Sequence, residues 1–282
     1  MMTWPDNKRI AVMMAFDLDA ETMWTTRGDG NHDHITNLSR GAYGPKQGVP
    51  RILDMLDVYG VKATFFIPGV IAEHYPLVVK EISRRGHEIG FHGYLHEEST
   101  ATSYEEEDAT MTRCETIIKD LTGQSIAGHR GPGGVIHDYS LRLFLEHGYL
   151  YSSNWRDSDG PFIHTIDGRQ VPLVELPKDS IFDDTAYDFY TDSAPERYEL
   201  KSPREMLEIW KDEFDSLAAE GNFPFSKSLA RLNKAQVPTN SIILVGGIGC
   251  IYAISGQFNL LTDLAVFSSW TFYTLTFIGV MK

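Results

Sequence analysis

Short apolar runs alternate with longer segments of helical period from Asn7 to Gly221. Ile10–Phe16 (IAVMMAF), Lys62–Ile67 (KATFFI) and Glu88–Phe91 (EIGF) read as buried strands, because apolar, aromatic and β-branched positions follow one another without a helical stripe. Gln124–Gly128 leads into another strand end, and Tyr149–Ser152 and Val171–Leu176 read as two further strands. Between them, Arg51–Tyr59, Leu77–Arg85, Tyr104–Leu121 and Tyr139–Glu146 carry the helical period. They stop at Gly60, Gly86, Gly123 and near Gly148, where a helix end favours a left-handed residue. Ser103 with Glu106 three residues on forms a capping box. Ser202-Pro203-Arg204-Glu205 opens a last helix that stops at Gly221. Strand–helix alternation of this length predicts an α/β fold with a parallel sheet or barrel. Its chemistry is expected at the carboxyl ends of the strands.

The pattern breaks after Gly221. Between Asn240 and Met281 the one charged residue is Asp263. Ile242–Leu261 is apolar over about the 20 residues that a membrane helix needs, and Leu264–Met281 is nearly as long. Buried core helices or strands are the alternative, but continuous apolar length favours two spans. Lys227, Arg231 and Lys234 before the first run and Lys282 after the second predict both ends on the cytoplasmic side, with Gln257–Asp263 outside. The expected organisation is a body over 1–221, a basic junction over 222–240 and a hydrophobic tail over 241–282.

Composition sharpens this division. Hydrophobic residues make up 42% and charged residues 23%, values of a globular chain, so a wholly disordered or fibrous protein is excluded. The net charge is −14, and the charged residues from Ser226 onward are Lys227, Arg231, Lys234, Asp263 and Lys282, so the acidic surplus belongs to the body. An acidic body argues against nucleic acid as a partner. Two cysteines, Cys114 and Cys250, make neither a disulfide framework nor a thiolate metal site. No charged n-region followed by an apolar run opens the chain, so a cytoplasmic body without a signal peptide is expected, membrane-associated through residues 241–282.

Three polar clusters sit at predicted strand ends. The first strand runs into Asp17, Asp19 and Glu21, which a solvated turn or helix cap would also explain. The third runs into His92 and His96, a pair that reaches one metal if the segment is helical or tightly turned, though such spacing also arises by chance. The fourth ends in Gly128-His129-Arg130-Gly131-Pro132-Gly133-Gly134, a tight loop without a phosphate-binding fingerprint. Together the clusters say more. Two histidines and one carboxylate leave zinc with positions open to water. Non-haem iron uses the same set for oxygen chemistry. A second carboxylate as base, with Arg130 beside it, favours hydrolysis.

These residues resemble the polysaccharide deacetylase family, the NodB-homology or carbohydrate esterase family 4 group, over Asn7 to Gly221. By that resemblance Asp17 is the catalytic base and Asp19 a metal ligand. One residue separates them where the family pattern has none, as in a branch that includes peptidoglycan-deacetylase-like proteins and cyclic-imide or allantoin-type amidohydrolases. His92 and His96 match the other two ligands. Arg130 and Pro132 match the Arg-x-Pro motif, with Arg130 tethering Asp17. Trp155–Pro161 stands where a fourth, aromatic and acidic motif belongs but fits it poorly, whereas Leu173–Pro177 followed by Phe182-Asp183-Asp184 is similar to the branch. The resemblance implies a distorted (β/α)7 barrel, Zn2+ or another divalent metal, a glycan or small-molecule substrate, and homo-oligomers.

One family motif is missing. A last strand should end in His-Pro, whose histidine acts on the leaving nitrogen. The ten histidines stop at His164 and no His-Pro occurs. The residues from Phe225 onward resemble an internal piece of an amino-acid permease, as if two genes had been joined and the last strand lost. The expectation is a zinc-dependent hydrolase of non-peptide amide bonds, most similar to polysaccharide or peptidoglycan N-deacetylases and impaired by that loss. The alternatives are a cyclic-imide or allantoin-type amidohydrolase and a non-catalytic fusion fragment. If the chain turns over, His129 and His164 are the first candidates for the acid.

Overall fold

The computed structural model describes residues 13–26, 34–98, 102–158, 161–178, 180–188 and 201–219. The junction 222–240 and the apolar runs Ile242–Leu261 and Leu264–Met281 lie outside the described residues, as does the stretch after Gly221 where the last strand of the expected barrel would follow. Among the described residues no helix is long and apolar enough to cross a membrane.

The elements follow in the order β1 (Ala15–Asp17), α1 (Thr22–Thr25), α2 (Ile35–Gly41), a π-helical turn at Gly44–Gly48 that runs into α3 (Val49–Tyr59), β2 (Thr64–Ile67), α4 (Gly69–His74), α5 (Pro76–Arg84), β3 (Glu88–Phe91), α6 (Tyr104–Thr122), β4 (Gly128–His129), α7 (Ser140–Glu146), β5 (Tyr151–Ser152), β6 (Phe162–Ile166), β7 (Arg169–Glu175), α8 (Thr185–Asp188) and α9 (Pro203–Ala219). They fall into two compact units, Ala15–Lys178 and a second made of Met1–Met14 with Asp179–Lys282.

The first unit holds a seven-stranded sheet in the order β1-β2-β3-β4-β5-β7-β6. All neighbours are parallel except β6 and β7. β2 is buried at all four positions, as a strand covered on both faces must be. The core is built from Phe16, Phe65, Phe66 and Ile89 of the strands with Leu53, Leu56, Val79, Ile82, Met111, Ile118, Leu143 and Phe144 of the helices. Gly60 and Gly123 end α3 and α6 with φ of 64° and 75°. Ser103 and Glu106 form the expected capping box, each bonding the other's backbone N–H.

The sheet curls. Lys178, three residues past β7, places Nζ 3.6 Å from Asp17 Oδ2 at the end of β1. Laid flat, five strand steps would separate them by about 24 Å, further than three residues of chain and two side chains reach. The sheet thus curves toward the barrel that the family resemblance implied, the alternation itself having left sheet and barrel open.

Three strand expectations change in detail. Met13 and Met14 are not in β1, which begins at Ala15, and residues before Met13 lie outside the described set. The fourth and fifth strands shrink to two residues each. β6 has no counterpart among the strands expected from sequence, although Asp167-Gly168, with φ of 51° and 73°, is the hairpin turn that pairs β6 with β7. His164 and other polar residues within Phe162–Ile166 obscured the strand pattern there.

In the second unit, Trp210 Nε1 of α9 donates to Ile181 O at 2.7 Å, and Tyr187 OH of α8 donates to the same carbonyl at 2.9 Å. Glu205 Oε2 accepts from Ser202 N at 2.7 Å, the predicted cap at the start of α9.

Candidate active site

Asp17 closes β1, and Leu18 N continues the ladder by donating to Phe66 O at 2.8 Å. Extended backbone sends alternate side chains to opposite faces, so Asp17 and Asp19 share one face while Leu18 is buried on the other. Ala20, at φ 48°, then turns the chain away.

His92 follows β3 directly. Its Nδ1 lies 2.5 Å from Arg130 O, which can only accept, so Nδ1 carries the proton and Nε2 is left as the lone pair. His92 and His96 are joined by a tight turn, not a helix. Glu97 closes that turn, accepting from Tyr94 N at 2.9 Å and from Leu95 N. His96 has φ 65°, a left-handed conformation that strains a residue with a Cβ by about 1–3 kcal/mol.

The turn aims His96 Nε2 at Asp19 Oδ2, 3.4 Å away, while His92 Nε2 stands 3.2 Å from Asp19 Oδ1. One ligand atom from each of the three residues lies within 4.8 Å of the others. Asp19 Oδ1 is shut off from solvent and accepts no well-formed hydrogen bond. A buried carboxylate oxygen in that state is costly unless a cation completes it. The three donors therefore fit a divalent metal, and a two-histidine, one-carboxylate set leaves positions open.

Arg130, one residue past β4, donates from Nη1 to Asp17 Oδ1 at 2.8 Å and from Nη2 to Ser153 Oγ at 3.1 Å. Its guanidinium sits 4.4 Å from the centre of the Phe66 ring. The five residues read as the site from sequence, Asp17, Asp19, His92, His96 and Arg130, thus come together at the ends of β1, β3 and β4.

Charge follows the geometry. Burial pushes the Asp17 carboxyl up, but Arg130, Lys178 and His92 outweigh it and hold the pKa down at about 2. Burial likewise pushes Asp19 up, and His96 and His92 drive it far below the carboxylate range. Burial drives His92 down, and the close approach of the Asp19 carboxylate, with Asp17 beyond it, turns the balance upward. Both carboxylates are ionised at neutral pH.

Three residues were not read from the sequence. Glu97 shapes the histidine turn. Glu175 of β7 is fully buried and accepts from Asn154 N at 2.6 Å and Trp155 N at 2.9 Å, with His164 Nε2 at 2.7 Å from its other oxygen. Asn154 Oδ1 in turn accepts from Gly131 N at 2.7 Å, so Glu175 fixes the loop that carries Arg130. A glutamate inside the apolar run Val171–Leu176 is the signal that would have found it, since such a residue is buried only when paired. Lys178 is the third, on the far oxygen of Asp17 from Arg130.

His129 and His164 are committed elsewhere. His129 Nδ1 lies 3.1 Å from Asn154 Nδ2, its ring packs 4.3 Å from Phe144 of α7, and burial pulls its pKa well down. His164 is paired with Glu175.

A solved structure from Mycobacterium smegmatis assigned to the polysaccharide deacetylases is 34% identical to this chain, covering 76% of it and 74% of the other chain at a TM-score of 0.71. The chain belongs to the polysaccharide deacetylase family. The Polysaccharide deacetylase family model matches residues 42–152, a span that contains His92, His96 and Arg130, whereas Asp17 and Asp19 precede it. The peptidoglycan deacetylase of Helicobacter pylori is 29% identical over 238 residues, 77% of this chain and 81% of its own. Puue Allantoinase shares the fold at 24% identity and a TM-score of 0.63, covering 77% of this chain and 75% of its own. Residues 213–282 match the Amino acid permease family model. As a polysaccharide deacetylase the chain is a hydrolytic enzyme of a divalent-metal family with the barrel-type α/β fold.

Proposed function

We propose that this polysaccharide deacetylase hydrolyses the N-acetyl group of an amino-sugar polymer, peptidoglycan in the first instance, with Asp17 as the base and with Asp19, His92 and His96 holding a zinc ion. The observation that carries the reading is the convergence of Asp19, His92 and His96 within 4.8 Å, beside an Asp17 held by Arg130. When bound, such an ion polarises the carbonyl and lowers the pKa of water.

Asp17 accepts the proton of the attacking water. Arg130 occupies Oδ1 and keeps the carboxylate ionised and oriented, which also lowers its basicity. Arg130 is itself held by Ser153 and Phe66, so the base is fixed before substrate arrives. Oxygen adds to the carbonyl carbon, the C–N bond breaks, and the nitrogen leaves with a proton. In the family pattern a histidine supplies that proton, and no His-Pro occurs in this chain. Amine expulsion is therefore the step open to impairment, by about 10²–10⁴-fold where nothing replaces the acid. The peptidoglycan preference draws on the Helicobacter pylori relative, named as a peptidoglycan deacetylase. The cyclic-imide reading rests on shared fold alone. The body over 1–221 carries this chemistry, and the permease-like residues 241–282 direct the chain to a membrane.

The test is acetate release from N-acetylglucosamine oligomers and from peptidoglycan by the full chain, before and after chelation and on return of Zn2+. Loss on chelation and recovery with zinc are expected, with Asp17→Asn inactive. Turnover indifferent to chelation, or full metal retention by a His92→Ala/His96→Ala variant, would overturn the reading.

A further inference from the structure

The proton for the leaving nitrogen has a source that no motif named. His129 and His164 are buried against partners of their own, and His92 and His96 face Asp19. Arg130 cannot serve, because a guanidinium does not give up its proton at neutral pH. Lys178 stands at the opposite oxygen of the base, with Nζ 3.6 Å from Asp17 Oδ2 while Arg130 Nη1 holds Oδ1 at 2.8 Å. Its backbone N donates to Trp155 O at 3.1 Å, which anchors the Cα just past β7. The side chain is mostly covered, 13% exposed, beside an Asp17 that is 21% exposed, so the ammonium is held against the base rather than spread into solvent. An ammonium on a flexible four-carbon stem carries three donors and can turn from the carboxylate to a neighbouring nitrogen.

Resting on the deacetylase reading, we propose that Lys178 is a further catalytic residue, the acid that protonates the departing amine in place of the missing histidine. Water loses one proton to Asp17 as its oxygen bonds to the carbonyl carbon. The C–N bond breaks with its electron pair going to nitrogen, which takes a proton from the Lys178 ammonium. The proton on Asp17 then passes to the neutral Lys178 amine beside it and resets both groups. The products are the free amine and acetic acid, and nothing beyond water is consumed.

An ester with a good leaving group separates this role from a structural one, since para-nitrophenolate departs without a proton. Lys178→Met and Lys178→Arg are compared with the wild-type chain on an N-acetylglucosamine oligomer and on para-nitrophenyl acetate, with zinc content and thermal melting measured in parallel. The expected result is a loss of about 10²–10⁴-fold in kcat on the amide for both variants, with little change in KM, in ester turnover or in zinc content. Lys178→Arg keeps a cation at Asp17 without a transferable proton, so it tests proton donation even if Lys178→Met folds poorly. Amide turnover by Lys178→Arg equal to wild type, or equal losses on ester and amide, would overturn the proposal. A wild-type chain silent on both substrates at full zinc content overturns the deacetylase reading itself, and Lys178's role with it.

Discussion

Asp17 and Asp19 differ by two positions and have opposite work. Both project from one face of the same extended segment, but Asp17 meets Arg130 and Asp19 meets two imidazoles. Neutralising each should therefore produce different failures. Asp17→Asn should keep its zinc and lose about 10²–10⁴-fold in turnover, as read by elemental analysis beside acetate release. His92→Ala should lose the metal and the stabilisation that comes with it. At a zinc concentration 100 times the Kd the wild type gains about 2.7 kcal/mol, a rise in melting temperature that the variant should not show. Glu175 belongs to the same scale although it touches no ligand. Glu175→Ala strands the N–H groups of Asn154 and Trp155 in the interior, at about 1–3 kcal/mol for each buried donor. Denaturant unfolding should register that loss. Unchanged stability would mean that the Arg130 loop is held without Glu175.

At the scale of elements, α7 is tied to α6 by a histidine. His147, just past the end of α7, places Nε2 2.8 Å from Asp108 and Nδ1 2.8 Å from Glu115, both on α6. Burial lowers its pKa, but the two carboxylates outweigh burial and raise the value above 6.5. A folded-state pKa above the unfolded one stabilises below the unfolded value, and that stability is lost as pH rises through the folded one. The melting-temperature advantage of wild type over His147→Gln should thus be full below about pH 6.5 and shrink as pH rises beyond it. An advantage that grows with pH would contradict the ion-pair reading. The β6–β7 hairpin offers a second check. Asp167 and Gly168 both take positive φ, so Gly168→Val should weaken the hairpin in thermal unfolding, whereas most residues on the exposed strand face should not.

For the whole molecule the question is what the permease-like end does to an acidic hydrolase. Residues 213–282 match a transporter family, while the catalytic candidates all lie before Asp179. The apolar runs Ile242–Leu261 and Leu264–Met281 predict that the full chain sediments with membranes and needs detergent. Full-length protein recovered soluble and monodisperse without detergent would show that these runs fold against protein instead. A barrel lacking its closing strand would also expose ladder edges and invite aggregation, which size-exclusion profiles of the detergent-extracted protein would reveal.

Much of this architecture is legible residue by residue. The capping box at Ser103, the glycines that end α3 and α6, and the strand at Glu88–Phe91 depend on local chemistry, so the sequence pattern foretold them. The clusters that hold the five candidate residues were legible too, because each stands where a strand ends and the chain must turn, while their separate roles came from the family resemblance. What no local pattern contained was which groups meet after the sheet curls. The turn that aims His96 at Asp19 depends on the carboxylate of Glu97, one residue further on, which folds back onto Tyr94 N. Glu175 acquires its role from backbone N–H groups twenty residues away. Lys178 comes within 3.6 Å of Asp17 only because the five strand steps between them curl round. Sequence settles the strands, the turns and the kinds of atoms at their ends. Closure of the sheet decides which of those atoms share a space, because that distance is set by the twist and register of every strand between them.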